Sequence, residues 1–119
     1  MSGKKAPEKW RITFDETAKL LEGKRGPDGK PFEVVLNHGT MRVGLYAPRG
    51  TDPQQPHLQD EIYVVMRGTG RFICGDEQQE FGPGDVIFVP AGLEHRFIDF
   101  TDDFYVWVTF YGQDGGESE

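Results

Sequence analysis

From Phe32 onward apolar residues recur at every second position, and glycine or proline interrupts them every ~8–12 residues. A half-buried strand alternates in this way because successive side chains face opposite sides of a sheet. "FEVVL" and "MRVGLYA" flank "NHGT", which predicts a hairpin turning at Asn37 to Gly39. "EIYVVMRG" is a strand stopped by Gly68, and "GRFICGDEQQEF" is a second hairpin turning at Gly75-Asp76. "GPGDVIFVPAG" holds a short apolar strand between Pro-Gly breaks, and "EHRFIDF" and "FYVWVTFY" are two further strands separated by "TDD". About eight short strands without a long helix form a sandwich or a barrel. The 16 glycines and 8 prolines among 119 residues supply the turns, well above the ~12% usual for these two residues.

The N-terminal part reads differently. Residues 1–9 are small, charged and proline-bearing, and are expected to be flexible. "WRITF" (10–14) predicts a short strand, and "DETAKLLEG" (15–23) predicts one or two helical turns capped by Asp15 and stopped by Gly23. "KRGPDGKP" (24–31) is a turn. Residues 10–111 are expected to form one domain, followed by a disordered tail over 112–119.

A net charge of -7 supplies no positive field for a phosphate backbone, so no nucleic-acid partner is expected. The single cysteine, Cys74, excludes an internal disulfide. No run of ~18 apolar residues predicts a transmembrane helix. "MSGKKAPEKW" lacks the apolar stretch of a secretory signal, so a cytoplasmic location is expected.

The chemistry concentrates in "PQQPHLQDEIYVVMRG", residues 53–68. If the strand starts early enough, Gln55, His57 and Glu61 share a face. Imidazole nitrogen and carboxylate oxygen are common ligands of divalent transition metals. Two ligands do not make a site, and the chain has only His38 and His95 besides His57. His95 follows a Pro-Gly turn and enters a strand, which makes it the natural third ligand. His38 sits in a predicted turn and reads as a surface residue. Tyr63 and Val65 share parity with Glu61, and Phe97 shares it with His95. In the last strand either the Tyr105, Trp107, Thr109 face or the Phe104, Val106, Val108, Phe110 face lines the interior. Asp60, of opposite parity to Glu61, is expected to face outward. Arg42 and Arg96 are candidates for holding a substrate carboxylate, against the commoner role of surface ion pairs. Cys74, beside a hairpin turn, is expected to be buried and inert.

"QPHLQDEIYVVMRG" followed by "GDVIFVPAGLEH" resembles the two-motif signature of the cupins. Glu61 and Gly68 hold the six-residue spacing of the first motif, and His57 occupies its second histidine position. Gly84, Pro90, Gly92 and His95 match the second motif in type and spacing. The resemblance covers residues 39–111. Two positions depart from it. Gln55 stands in place of the first histidine, with Gln54 as the alternative because Gly50 is one residue closer than the motif expects. Asp99 stands where asparagine is frequent.

The resemblance implies a double-stranded β-helix, or jelly-roll barrel, with a short N-terminal strand and helical turn as additions. It implies a metal set of Gln55, His57, Glu61 and His95 holding a divalent transition metal such as Fe, Mn, Ni, Zn or Cu. It further implies a homodimer acting on a small-molecule substrate, with oxygenase-like chemistry first. The alternatives are a metal-assisted isomerase or lyase, with Glu61 or Tyr63 nearer the proton transfer, and a non-catalytic small-molecule binding protein.

Overall fold

A computed structural model describes residues 3–25 and 31–118. One helix, α1 (Phe14–Lys24), precedes eight strands: β1 (Phe32–His38), β2 (Met41–Tyr46), β3 (Asp60–Arg67), β4 (Gly70–Cys74), β5 (Glu77–Phe81), β6 (Val86–Val89), β7 (His95–Ile98) and β8 (Tyr105–Tyr111). Five strands form one sheet in the order β1-β2-β8-β3-β6, and three form a second in the order β5-β4-β7. Adjacent strands run antiparallel throughout. The first hairpin turns one residue later than expected, at Gly39-Thr40, because His38 still pairs with Met41.

The two sheets enclose a core rich in aromatic residues. Phe97, 1% exposed, packs its ring against Tyr63, Phe72, Phe81 and Phe104 at centroid distances of 4.7–5.3 Å. Such tilted and edge-on contacts are the favoured geometry of aromatic pairs. β8 resolves the choice left open by its pattern. Val106, Val108 and Phe110 join the core with Phe104, whereas Tyr105 and Trp107 face outward and pack with α1.

α1 is longer than one or two turns and begins at Thr13, not at Asp15. The Thr13 hydroxyl accepts from Glu16 N and the Glu16 carboxylate accepts from Thr13 N, a reciprocal capping box. The cap takes over the end of "WRITF", so residues 10–13 form no strand, and Trp10 stands 66% exposed. The apolar side of the helix, Phe14, Ala18 and Leu21, covers Leu45, Ala47 and Tyr105 on the outer face of the larger sheet. The predicted turn over 24–31 falls mostly on residues 26–30, outside the described residues.

Gly68 takes φ 89° as β3 ends, and a Cβ there would lie 2.8 Å from the Phe104 backbone. Glycine is needed for both reasons. Gly44 lies under Phe32, whose ring would be 2.6 Å from an added Cβ. That close approach lets the Phe32 ring of β1 lie against β2. Among the described residues no helix is long and apolar enough to cross a membrane.

Candidate metal centre

Three elements bring the polar groups together inside the barrel. Glu61, the second residue of β3, points inward and is paired with Val89 and Phe110 on its neighbours. β7 opens with His95, paired with Cys74 of β4. The segment between β2 and β3, largely without regular structure, contributes Asp52, Gln54 and His57. It is tied to the turn before β7 by Gly92 N donating to the His57 carbonyl at 2.8 Å.

His57, Glu61 and His95 each offer a ligand atom, and these atoms lie within 4.8 Å of one another. Glu61 and the His95 side chain are almost fully buried, and the His57 side chain is 33% exposed. His95 Nε2 lies 2.8 Å from Glu61 Oε1, and His57 Nε2 lies 4.0 Å from the same oxygen. The Gln54 amide oxygen is 3.2 Å from Nε2 of both histidines. Nitrogen and oxygen ligands bind Zn at ~2.0–2.2 Å, which sets neighbouring ligand atoms about 3–3.5 Å apart. The spacing of the His57, Glu61 and His95 ligand atoms is thus close to what a metal would require, with the Gln54 oxygen beside them.

The hydrogen bonds show what a cation would relieve there. His95 Nδ1 faces the Leu93 carbonyl at 2.8 Å. A carbonyl only accepts, so Nδ1 carries a proton. In neutral His95 the Nε2 lone pair then points at Glu61 Oε1 and Gln54 Oε1. Three acceptors meet with no hydrogen between them. Among the described residues neither Glu61 oxygen has a hydrogen-bond donor. The 2.8 Å contact to His95 becomes an ion pair only when the imidazole is protonated. A buried carboxylate in such surroundings is costly unless a proton or a metal joins the cluster.

The protonation tendencies follow from the same contacts. Burial pulls His95 down, but the hydrogen bond its protonated ring donates to Glu61 leads the opposing effects and the net shift is upward. Burial, aided by the charges of His95 and Arg42, holds His57 below its ordinary value. Burial and then Glu61 push the Tyr63 hydroxyl well up. Tyr63 is therefore a proton donor here, and its hydroxyl donates to Gln54 Oε1 at 3.0 Å.

Of the four expected ligands, the structure brings His57, Glu61 and His95 together and leaves Gln55 outside. Gln55 is exposed and borders, with Arg96, a surface cleft that Gln54 and His95 also line, while the Gln54 amide oxygen turns inward to the histidines. The alternation that grouped Gln55 with His57 applies only within a strand, and β3 starts at Asp60. Asp60 is 4% exposed, not solvated: it accepts from Ala91 N at 2.9 Å and from Glu117 N at 2.8 Å. The C-terminal segment reaches it by folding back, with Gly115 N donating to the Leu58 carbonyl. Asp52 and Tyr46 were missed. The signal for Asp52 was Asp-Pro followed by glutamine, since its carboxylate accepts from Gln54 N two residues on, as in an Asx-turn.

A cavity of about 100 Å³ leads to Gln54, His57 and Glu61, walled by Phe32, Val108 and Phe110. Arg42 does not line it: the guanidinium, 4.7 Å from the Phe110 ring centroid and donating to Gln59 at 3.0 Å, borders a neighbouring cleft shared with His57 and Phe110. Arg96 and His38 are exposed away from the cavity. Cys74 is half-buried, and burial followed by Glu77 raises its thiol.

Residues 42–111 match the Cupin domain family. The chain belongs to the cupins. A 38% identical relative, an uncharacterized protein of Streptomyces coelicolor, aligns over 76% of this chain and 88% of its own length. A 5-aminosalicylate 1,2-dioxygenase of Comamonas is 26% identical over 69% of this cupin. An acireductone dioxygenase of Rhodopseudomonas palustris is 49% identical over 34% of it. The matches span only about a quarter of each dioxygenase. Among solved structures, a Rhizobium leguminosarum protein of unknown function superposes with a TM-score of 0.71 at 20% identity, over 90% of this chain and all of its own. A cupin-2 domain protein of Shewanella frigidimarina gives 0.63 at 19% identity, over 82% and 91%. These likenesses establish the double-stranded β-helix and not a reaction.

Proposed function

We propose that this cupin is a metal-dependent enzyme that uses molecular oxygen on a small organic substrate. The carrying observation is the convergence of Glu61, His95 and Gln54 acceptors, with His57 beside them, on one point where the buried Glu61 oxygens have no donor while His95 is neutral. His57, Glu61 and His95 are the metal ligands in this reading, and Gln54 adds a neutral amide oxygen. A divalent transition metal held there would supply Lewis acidity and, if redox-active, electrons for oxygen. The chain's own groups do the rest. Phe32, Val108 and Phe110 bind the apolar body of the substrate and exclude water. Tyr63 keeps its proton and donates it as a hydrogen bond within the site. Arg42, in the neighbouring cleft that shares His57 and Phe110, is available to an anionic substituent. The small cavity and the partial likeness to two dioxygenases favour a compact enediol or hydroxylated aromatic substrate. A cytoplasmic homodimer completes the reading, supported by Val86 and Phe88, 68% and 52% exposed on edge strand β6.

The test uses protein reconstituted anaerobically with Fe(II), then presented with acireductone or 5-aminosalicylate in an oxygen electrode. Oxygen uptake that requires both substrate and metal is expected. Product formation without oxygen uptake would replace this reading with isomerase or lyase chemistry. A ligand-dependent thermal shift without turnover would replace it with simple binding.

A further inference from the structure

We propose that Asp52 is a positioning residue that sets metal affinity by locking the Gln54 amide with its oxygen toward the metal centre. The inference rests on reading His57, Glu61 and His95 as metal ligands.

Asp52 is 4% exposed and does not line the cavity. Its Oδ2 accepts from Gln54 Nε2 at 2.6 Å and from Phe97 N at 2.9 Å. Its Oδ1 accepts from the Tyr46 hydroxyl and from Gln54 N at 3.3 Å. Three parts of the fold thus hold the carboxylate: β2 through Tyr46, the β2–β3 segment through Gln54, and β7 through Phe97. An ionised carboxylate accepts and cannot donate, so only the NH2 end of the amide satisfies it. The amide oxygen is then fixed toward His57, His95 and Tyr63.

The reverse orientation shows what Asp52 prevents. A turned amide would place its NH2 against the His95 Nε2 lone pair, a good hydrogen bond that leaves no room for a metal. Its oxygen would then face the Asp52 carboxylate at hydrogen-bond distance, acceptor against acceptor. Asp52 forbids that arrangement and keeps an acceptor cluster that a cation relieves. Its position resembles that of the carboxylate behind a metal-bound histidine, with an amide in place of the imidazole.

The test is a Co(II) titration of metal-free protein followed by visible absorption, which reports affinity and ligand set. Asp52→Ala is expected to weaken Co(II) by about 10–100-fold, the range for loss of an outer partner, and to shift the cobalt spectrum. Gln54→Ala should do the same, and the double variant should bind no more weakly than Gln54→Ala alone. Asp52→Asn, which keeps an acceptor for Phe97 N and the amide, should retain most of the wild-type affinity and spectrum. If Asp52→Ala does not fold, Asp52→Ser replaces it, because its hydroxyl is too short to reach the Gln54 amide. Unchanged affinity in Asp52→Ala, or a loss that multiplies with that of Gln54→Ala, overturns the inference while the metal site stands. Failure of the wild-type protein to bind Co(II) overturns the metal site and the inference with it.

Discussion

Glu61→Gln should abolish tight metal binding and, in the metal-free protein, reverse its effect on stability with pH. The metal loss should exceed the ~10–100-fold typical of an outer partner, because the substitution removes the one anionic ligand of the cluster. The stability effect follows from His95. Its folded-state pKa is raised, so the imidazolium–Glu61 pair stabilises fully below the ordinary histidine range. That contribution is lost as pH rises through the raised value. On the acid side Glu61→Gln removes a buried ion pair and should lower the unfolding free energy. Once His95 is neutral, Glu61 is a buried carboxylate facing lone pairs, whereas a glutamine NH2 there can donate to His95 Nε2. At the alkaline end the variant should therefore be more stable than the wild type, by about 1–3 kcal/mol, the scale of relieving an unsatisfied buried polar group. Chemical denaturation across the pH range, with chelator present, measures both arms. A variant less stable at every pH would show that Glu61 has donors other than His95. Stability given up for an acceptor cluster is the usual signature of a binding site.

Phe97→Ala should destabilise the fold by about 3–5 kcal/mol, a large share of the ~5–15 kcal/mol typical of a domain. Phe97 is the ring on which the two sheets meet, touching Tyr63 of β3, Phe72 and Phe81 of β4 and β5, and Phe104 before β8. Its neighbours are poorly placed to collapse into the space it leaves, because Tyr63, Phe72 and Phe81 are each held by a different strand. Equilibrium urea denaturation reads the loss, and a change below about 1 kcal/mol would mean that the core repacks around the gap. The variant should also loosen the site, because the Tyr63 ring lies 4.9 Å from that of Phe97 and donates to Gln54.

The strands were legible because turn residues and period-two alternation are local signals. Asn37 to Gly39, Gly68, Gly75-Asp76 and Pro90 to Gly92 each lie at or beside a real turn or strand end. His57, Glu61 and His95 were legible because their spacing is carried by the cupin motifs. Other features depend on what lies across space. "WRITF" alternates like a strand, but the Thr13–Glu16 capping box and the cover that α1 gives Tyr105 decide for helix. The inward face of β8 depends on which side α1 occupies, which no pattern within the strand reveals. Asp60 looked solvated because the segment that covers it comes from Gly115 to Glu117, more than fifty residues away. Gln55 was favoured over Gln54 by a parity rule that fails in an irregular segment. Asp52 chooses between the two glutamines, and its partners Tyr46 and Phe97 come from other strands.

The most direct test of the metal centre is the elemental content of protein purified without chelator or added metal, beside that of His57→Ala. His57 is half-buried and packs edge-on against Phe110, so its removal should leave the barrel folded. The wild type should carry one divalent transition metal per chain, or take one up on titration, and His57→Ala should carry and take up far less. A wild type that neither holds nor accepts a metal, or a His57→Ala variant with undiminished content, would contradict the site.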